Sequence, residues 1–201
     1  MRDLTLNEFL SNQKRVENLL DVYRTLRAGG RGRSSVGATD VLRAATVLLH
    51  SSLEEVFRNL YRWRLPHADE EILNEIPLAG TGSGRPEKFL LGKLAPYTGR
   101  FVQNVILDSI EEYCNYTNIN NAGELVKCLQ RVSVDPEPFR IHLGELERLM
   151  SRRHQIVHQA DRNDEPGRGQ HRAQSLSIAA VERWMQCVNT FVQAVVAAVP
   201  D

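Results

Sequence analysis

The segment Arg153-His154-Gln155-Ile156-Val157-His158 holds the side chains best suited to chemistry. Arginine stays charged, and its planar fork holds phosphate oxygens through parallel hydrogen bonds. Histidine titrates near neutral pH and can serve as general acid or base. His154 and His158 are four residues apart and so share one helix face. Arg153 and His158 are five apart, roughly 140° around an ideal helix, so spacing alone does not aim both at one atom. Convergence needs arginine's long reach, a helix end near His158, or a second copy across a two-fold axis. The apolar stripe Leu146, Leu149/Met150, extended onward, places Arg153 where burial is expected. A buried guanidinium needs a partner or a second subunit. A plainer reading stands beside this one: His158 is a cation suited to a helix C-terminus, and Arg152 and Arg153 form surface or interface ion pairs.

Other residues have two readings each. Asp161, three residues after His158, could orient or charge that imidazole, or pair with Arg162. Arg152, Arg153, Arg162, Arg168 and Arg172, with His171, form either a phosphate track or a solvated charged stretch that Asp161, Asp164 and Glu165 dilute. His50 and Glu54, four apart on a helix, read as a surface pair in preference to lining a cleft. Gly80, Gly82 and Gly84 lack the strand before, the helix after and the Lys-Ser/Thr of a phosphate-binding loop. No aromatic series for stacking single-stranded nucleic acid is found. Nor is there a paired acidic motif or a His/Cys cluster with ligand spacing, so neither metal catalysis nor a cofactor is expected.

These side chains need helices to position them. Apolar residues recur at steps of mostly three and four over about 4–27, at Leu6, Phe9, Leu10, Val16, Leu19, Leu20, Tyr23 and Leu26, which reads as a first helix. Gly29-Gly30-Arg31-Gly32-Arg33-Ser34-Ser35 breaks that helix, making residues 1–38 an N-terminal helix and a Gly/Arg linker. Thr39 or Asp40 is expected to cap a second helix running to about Leu65. Residues 76–100, rich in Gly and Pro, predict a long irregular connection with one short helical turn near Phe89–Leu94. Helices follow over about 101–116, with Val102, Val105, Ile106, Ile110 and Tyr113 inward, and over Ala122–Arg131. Asp135-Pro136-Glu137-Pro138 starts the helix that runs into the motif. Residues 161–175 predict a mobile loop, and Ser175 or Ser177 caps a last helix with Val181, Trp184, Val188, Phe191, Val195 and Val199 inward. The expectation is one all-α domain over residues 1–201.

Composition narrows the function. The 25 basic and 25 acidic residues cancel, so no global field draws the chain to nucleic acid and any such contact must be local. Cys114, Cys128 and Cys187 have no metal or redox spacing and fit free thiols in a reducing cytosol. The N-terminus has no apolar signal region. Glu182, Gln186, Asn189 and Gln193 stripe the last helix, which reads as amphipathic and not as a membrane span. A cytoplasmic protein is expected.

The segment Arg153–His158 resembles the HEPN signature: an arginine, a polar residue, three more residues, then a histidine. The surroundings resemble one branch, the RiboL-PSP-HEPN family. Three stretches carry that likeness: Leu48-Leu49-His50-Ser51-Ser52-Leu53-Glu54-Glu55, Leu91-Gly92-Lys93-Leu94, and Arg152 through Asp161. The resemblance covers the chain from about Asp40 to the end. It implies a helical bundle that pairs into a homodimer, with the two signatures facing each other across a cleft. It also implies metal-independent RNA cleavage, in toxin or phage-defence biology, with an antitoxin or another protein as a possible partner. Carried over, Arg153 and His158 are the active pair, His154 is the polar residue beside the arginine, Asp161 supports them, and Arg152 and Arg162 touch RNA. The alternative is a non-catalytic HEPN dimer module that binds RNA, a nucleotide or a partner protein. A plain helical adaptor is the third reading. Some toxin-type relatives carry a tyrosine two residues after the histidine, which their antitoxin modifies. Ala160 stands there in this chain, so silencing by modification at that position is not expected.

Overall fold

Seven α-helices carry the apolar periodicity, seen in a computed structural model that describes residues 1–28, 36–79, 91–159, 161 and 174–200. They are α1 (Arg2–Ala28), α2 (Val36–Arg64), α3 (Glu70–Leu73), α4 (Val102–Tyr116), α5 (Ala122–Arg131), α6 (Arg140–His158) and α7 (Ile178–Ala198). Short 3-10 turns lie at Leu65–His67, Leu91–Tyr97 and Glu137–Phe139. There is no strand among the described residues. The fold is an all-α bundle, as the 3.6-residue spacing of apolar side chains requires. The Gly/Arg linker at 29–35, the glycines at 80, 82 and 84, Phe89, Ala160 and the charged stretch at 162–173 lie outside the described residues.

The bundle is built around α2, which packs against α1, α4, α6 and α7. Because several helices cover it, α2 is buried over most of its circumference, through Leu42, Ala45, Leu49, Leu53, Val56, Phe57, Leu60 and Tyr61. Helix α7 contributes Val181, Trp184, Val188, Phe191, Val192, Val195 and Val196 to the same core. Phe191 packs edge-on to Phe139, with ring centroids 5.7 Å apart. The guanidinium of Arg2, at the start of α1, donates to the carbonyl of Val199, just past α7.

Local chemistry sets the helix ends. Asn121 caps α5 by accepting from the Glu124 N–H at 2.9 Å, and the Glu124 carboxylate accepts in return from the Asn120 N–H at 2.6 Å. Ser177 is the serine that caps α7, accepting from the Ala180 N–H at 3.2 Å. Helix α2 begins at Val36, earlier than expected, so Thr39 and Asp40 lie inside it and not at its cap position. Asp40 accepts instead from Arg43 at 2.8 Å. Val102, expected inward, is exposed, because α4 buries Ser109, Ile110 and Cys114 in its second half. No helix of the described residues is long and apolar enough to cross a membrane.

Leu53 is fully buried on α2. Leu53→Ala is expected to lower the free energy of unfolding by about 2–5 kcal/mol, since the cavity would be lined by several helices. Urea denaturation followed by circular dichroism measures it, and a loss within experimental error would contradict the central place of α2.

Candidate functional site

Helix α6 buries Leu146, Leu149, Met150 and then Arg152, which is 7% exposed. The step from Leu149 to Arg152 is three residues, so the buried edge continues through Arg152. Arg153 falls beside that edge and is partly exposed. The burial expected of Arg153 therefore belongs mainly to its neighbour. Nη1 of Arg152 donates to the Asp161 carboxylate, to Gln155 Oε1 at 3.1 Å and to Gln174 Oε1 at 2.8 Å. Its Nη2 donates to the Gln174 carbonyl at 3.0 Å. Arg152, expected as an RNA contact, is committed to these partners.

Asp161 is 3% exposed and sits just beyond the helix end. One carboxylate oxygen accepts from Arg152 and the other from Nε of Arg43 at 2.5 Å. Arg43 belongs to α2, where it also donates to Asp40 at 2.8 Å and to the Gln174 carbonyl at 3.3 Å. The backbone of Asp161 is left-handed, with φ 56°, a conformation that aspartate tolerates better than most residues. In that turn the N–H groups of Gln159 and Asp161 both donate to the Gln155 carbonyl, at 3.1 and 3.0 Å. That satisfies one of the carbonyls left over at a helix end. The Gln174 N–H donates to the Asp161 carbonyl at 2.9 Å. So the carboxylate expected to serve His158 or Arg162 is taken up by two other arginines, and Arg162 lies outside the described residues. Arg43 has no signature in the sequence, where it reads as one more arginine three residues from an aspartate.

The rest of the motif is left available. His154 and His158 are both exposed on one face, with ring centroids 4.7 Å apart and planes tilted by 41°. Neither makes a hydrogen bond or ion pair with a protein group among the described residues, and Arg153 likewise has no such partner there. The structure thus brings His154 to His158 and Arg152 to Asp161. It joins Arg153 to His158 by no hydrogen bond. The Nε of Arg153 is buried, and its charge disfavours protonation of His50 on α2.

His50 and Glu54 are not a surface pair. His50 is 0% exposed, and its Nε2–H donates to the Ile119 carbonyl at 2.8 Å. Glu54, also buried, accepts from the Ile119 N–H at 3.0 Å. Its other oxygen lies 3.7 Å from both His50 Nδ1 and Arg58 Nη2. Two polar side chains on α2 therefore grip both faces of one peptide residue in the α4–α5 connection. Burial holds the His50 pKa below its ordinary 6.5, opposed by Glu54 and the Ile119 carbonyl and assisted by the charges of Arg153 and Arg58.

The thiols do not compete as nucleophiles. Burial raises the pKa of Cys114 to about 11 and also raises those of Cys128 and Cys187, which disfavours the reactive thiolate. His154 and His158 are paired nitrogen donors. Among the described residues no group of three His, Cys, Asp or Glu side chains is placed to hold a metal ion.

A helical bundle in which a long helix ends in arginine, four residues and histidine, followed by a polar stretch and a final apolar helix, is the HEPN architecture. The chain belongs to the RiboL-PSP-HEPN family, whose model matches residues 10–200. The match begins within α1, so the likeness extends further toward the N-terminus than Asp40. No curated protein and no solved structure matches the chain.

The buried His50 makes stability depend on pH. Its folded pKa lies below its unfolded one, so the unfolded chain takes up a proton first as pH falls. The contribution of His50 is fully present above about pH 6.5 and is lost as pH falls through that value toward the folded pKa. His50→Gln keeps a donor for Ile119 without a titrating group. Unfolding free energies at about pH 7.5 and 5.5 should fall less for this variant than for the wild type. Equal falls would show that His50 is not the group responsible.

Proposed function

We propose that this protein is a metal-independent endoribonuclease whose active pair is Arg153 and His158. The observation that supports this most is the division between adjacent arginines. Arg152 is buried against Asp161, whereas Arg153, His154 and His158 are without hydrogen-bond partners among the described residues and available to a ligand. A polyanion would find one uncommitted guanidinium and two solvent-facing imidazoles at the end of one rigid helix.

In this reading RNA supplies its own nucleophile. An imidazole takes the proton of a 2′-hydroxyl, and the 2′-oxygen bonds to the adjacent phosphorus. Arg153 donates to the phosphate oxygens where negative charge grows. The bond from phosphorus to the 5′-oxygen breaks, and a second imidazole returns a proton to that oxygen. The products are a 2′,3′-cyclic phosphate and a 5′-hydroxyl. His158 supplies one imidazole. The other comes from His158 of a second copy facing it across a two-fold axis, or from His154 beside it. A homodimer that joins two such helix ends also doubles the positive charge offered to the RNA. We assign Arg152 to holding the helix end and not to the phosphate track. A role as a toxin or phage-defence effector, with a partner protein restraining it, fits an RNase of this kind.

The test is cleavage of a mixed-sequence RNA with EDTA present and the product ends typed. His158→Ala should lower the rate by about a hundredfold or more, the usual loss of a general acid or base. Arg153→Ala should cost a similar factor through lost charge stabilisation. Cyclic phosphate ends made only by the wild type would support the proposal. An inert wild type, or equal cleavage by all three proteins, would favour a non-catalytic HEPN module.

A further inference from the structure

We propose that Asp161 is a positioning residue, acting on Arg153 and His158 through Arg152 and Arg43 and not by touching either of them. Its kinetic consequence rests on the ribonuclease reading above; its structural consequence does not. Three observations carry the inference. The carboxylate is buried between guanidiniums from two different helices, α6 and α2. The residue stands in a left-handed conformation whose N–H returns to the Gln155 carbonyl, inside the motif itself. Gln174 is held by Arg152, by Arg43 and by the Asp161 carbonyl, so the chain approaching α7 is tied to the same point.

The last turn of a helix frays unless its carbonyls find donors, and His158 is the last residue of α6. Asp161 closes this turn through its backbone and ties it to α2 through its side chain. Arg153 is one residue past Arg152, so the ion pair that seats Arg152 also sets the direction in which Arg153 leaves the helix. Two exposed imidazoles 4.7 Å apart are thereby mounted on a turn that cannot rotate away from α2. Reaction geometry is sensitive at this scale, since a misplacement of about 1 Å from a distant change can cost about a hundredfold in rate.

The experiment uses Asp161→Asn, Asp161→Glu, Arg43→Met and the triple variant Arg43→Met/Arg152→Met/Asp161→Leu. Three quantities are read on each: melting temperature, imidazole NMR signals of His154 and His158, and RNA cleavage. The chain has six histidines, so His154→Gln and His158→Gln suffice to assign the two signals. Asp161→Asn and Arg43→Met should shift both imidazole signals and lower kcat by about a hundredfold, with KM within about twofold. Asp161→Glu should recover part of both. The triple variant removes every buried charge of the clamp, so it should regain part of the melting temperature lost by the single variants, less the cost of a leucine at φ 56°, without regaining the signals or the rate. Unchanged imidazole signals in Asp161→Asn and Arg43→Met would overturn the proposal. So would a triple variant that cleaves as the wild type does. If the wild type itself does not cleave RNA, the ribonuclease reading fails, and the imidazole signals alone decide the clamp. Should Asp161→Asn not fold, the imidazole signals of Arg43→Met and of the triple variant decide in its place.

Discussion

The Asp161 carboxylate accepts from Arg152 on α6 and from Arg43 on α2, and the end of the signature helix is organised around that charge. Taking a carboxylate and guanidiniums out of water costs several kcal/mol per ion, which attraction between them offsets only when geometry and hydrogen bonding are good. Here both carboxylate oxygens have guanidinium partners, and further donors of Arg152 and Arg43 go to Gln174, Gln155 and Asp40, while Nε of Arg152 is buried without a partner among the described residues. Such a cluster contributes little net stability compared with an apolar replacement, but breaking it halfway is costly. Its effect is on arrangement: α2, α6 and the approach to α7 are placed together or not at all.

Helix α2 uses its polar side chains the same way on its other flank. Arg58 donates to the carbonyls of Cys114 at 3.2 Å and Thr117 at 3.4 Å, and His50 and Glu54 take the two backbone groups of Ile119. The connection between α4 and α5 is therefore fastened to α2 by side chain to main chain bonds. One helix thus holds both the α4–α5 connection and the turn that follows the signature.

Periodicity makes the helices legible from sequence, because a 3.6-residue stripe has one physical reading when it runs for five turns. The core of α7 follows from Val181, Trp184, Val188, Phe191, Val195 and Val199, each of which is buried. The expected bounds Ala122–Arg131 match α5, and the structure adds the Asn121 cap that fixes its start. The signature is legible as well, from residue types and its place in the chain. What was not legible is tertiary. Nothing in the spacing tells Arg152 from Arg153, because either continues the stripe, from Leu149 by three or by four. The partner that decides between them, Asp161, is paired also with Arg43, 118 positions earlier in the chain. His50 and Glu54 look like a helix-surface pair because four-residue spacing is the same on a solvent face and on a buried one. Only the approach of Ile119 separates the two.

The bond from the Gln174 N–H to the Asp161 carbonyl has a consequence for how this protein can diversify. It joins two residues thirteen positions apart, so the chain between them leaves from and returns to one fixed point. Loop-closure entropy grows slowly with length, about 0.6 kcal/mol for each doubling. Residues can therefore be added or removed between these two anchors at small thermodynamic cost to the bundle. A fold with its anchors so placed can accept such changes in length while the Arg153–His158 helix end stays where it is.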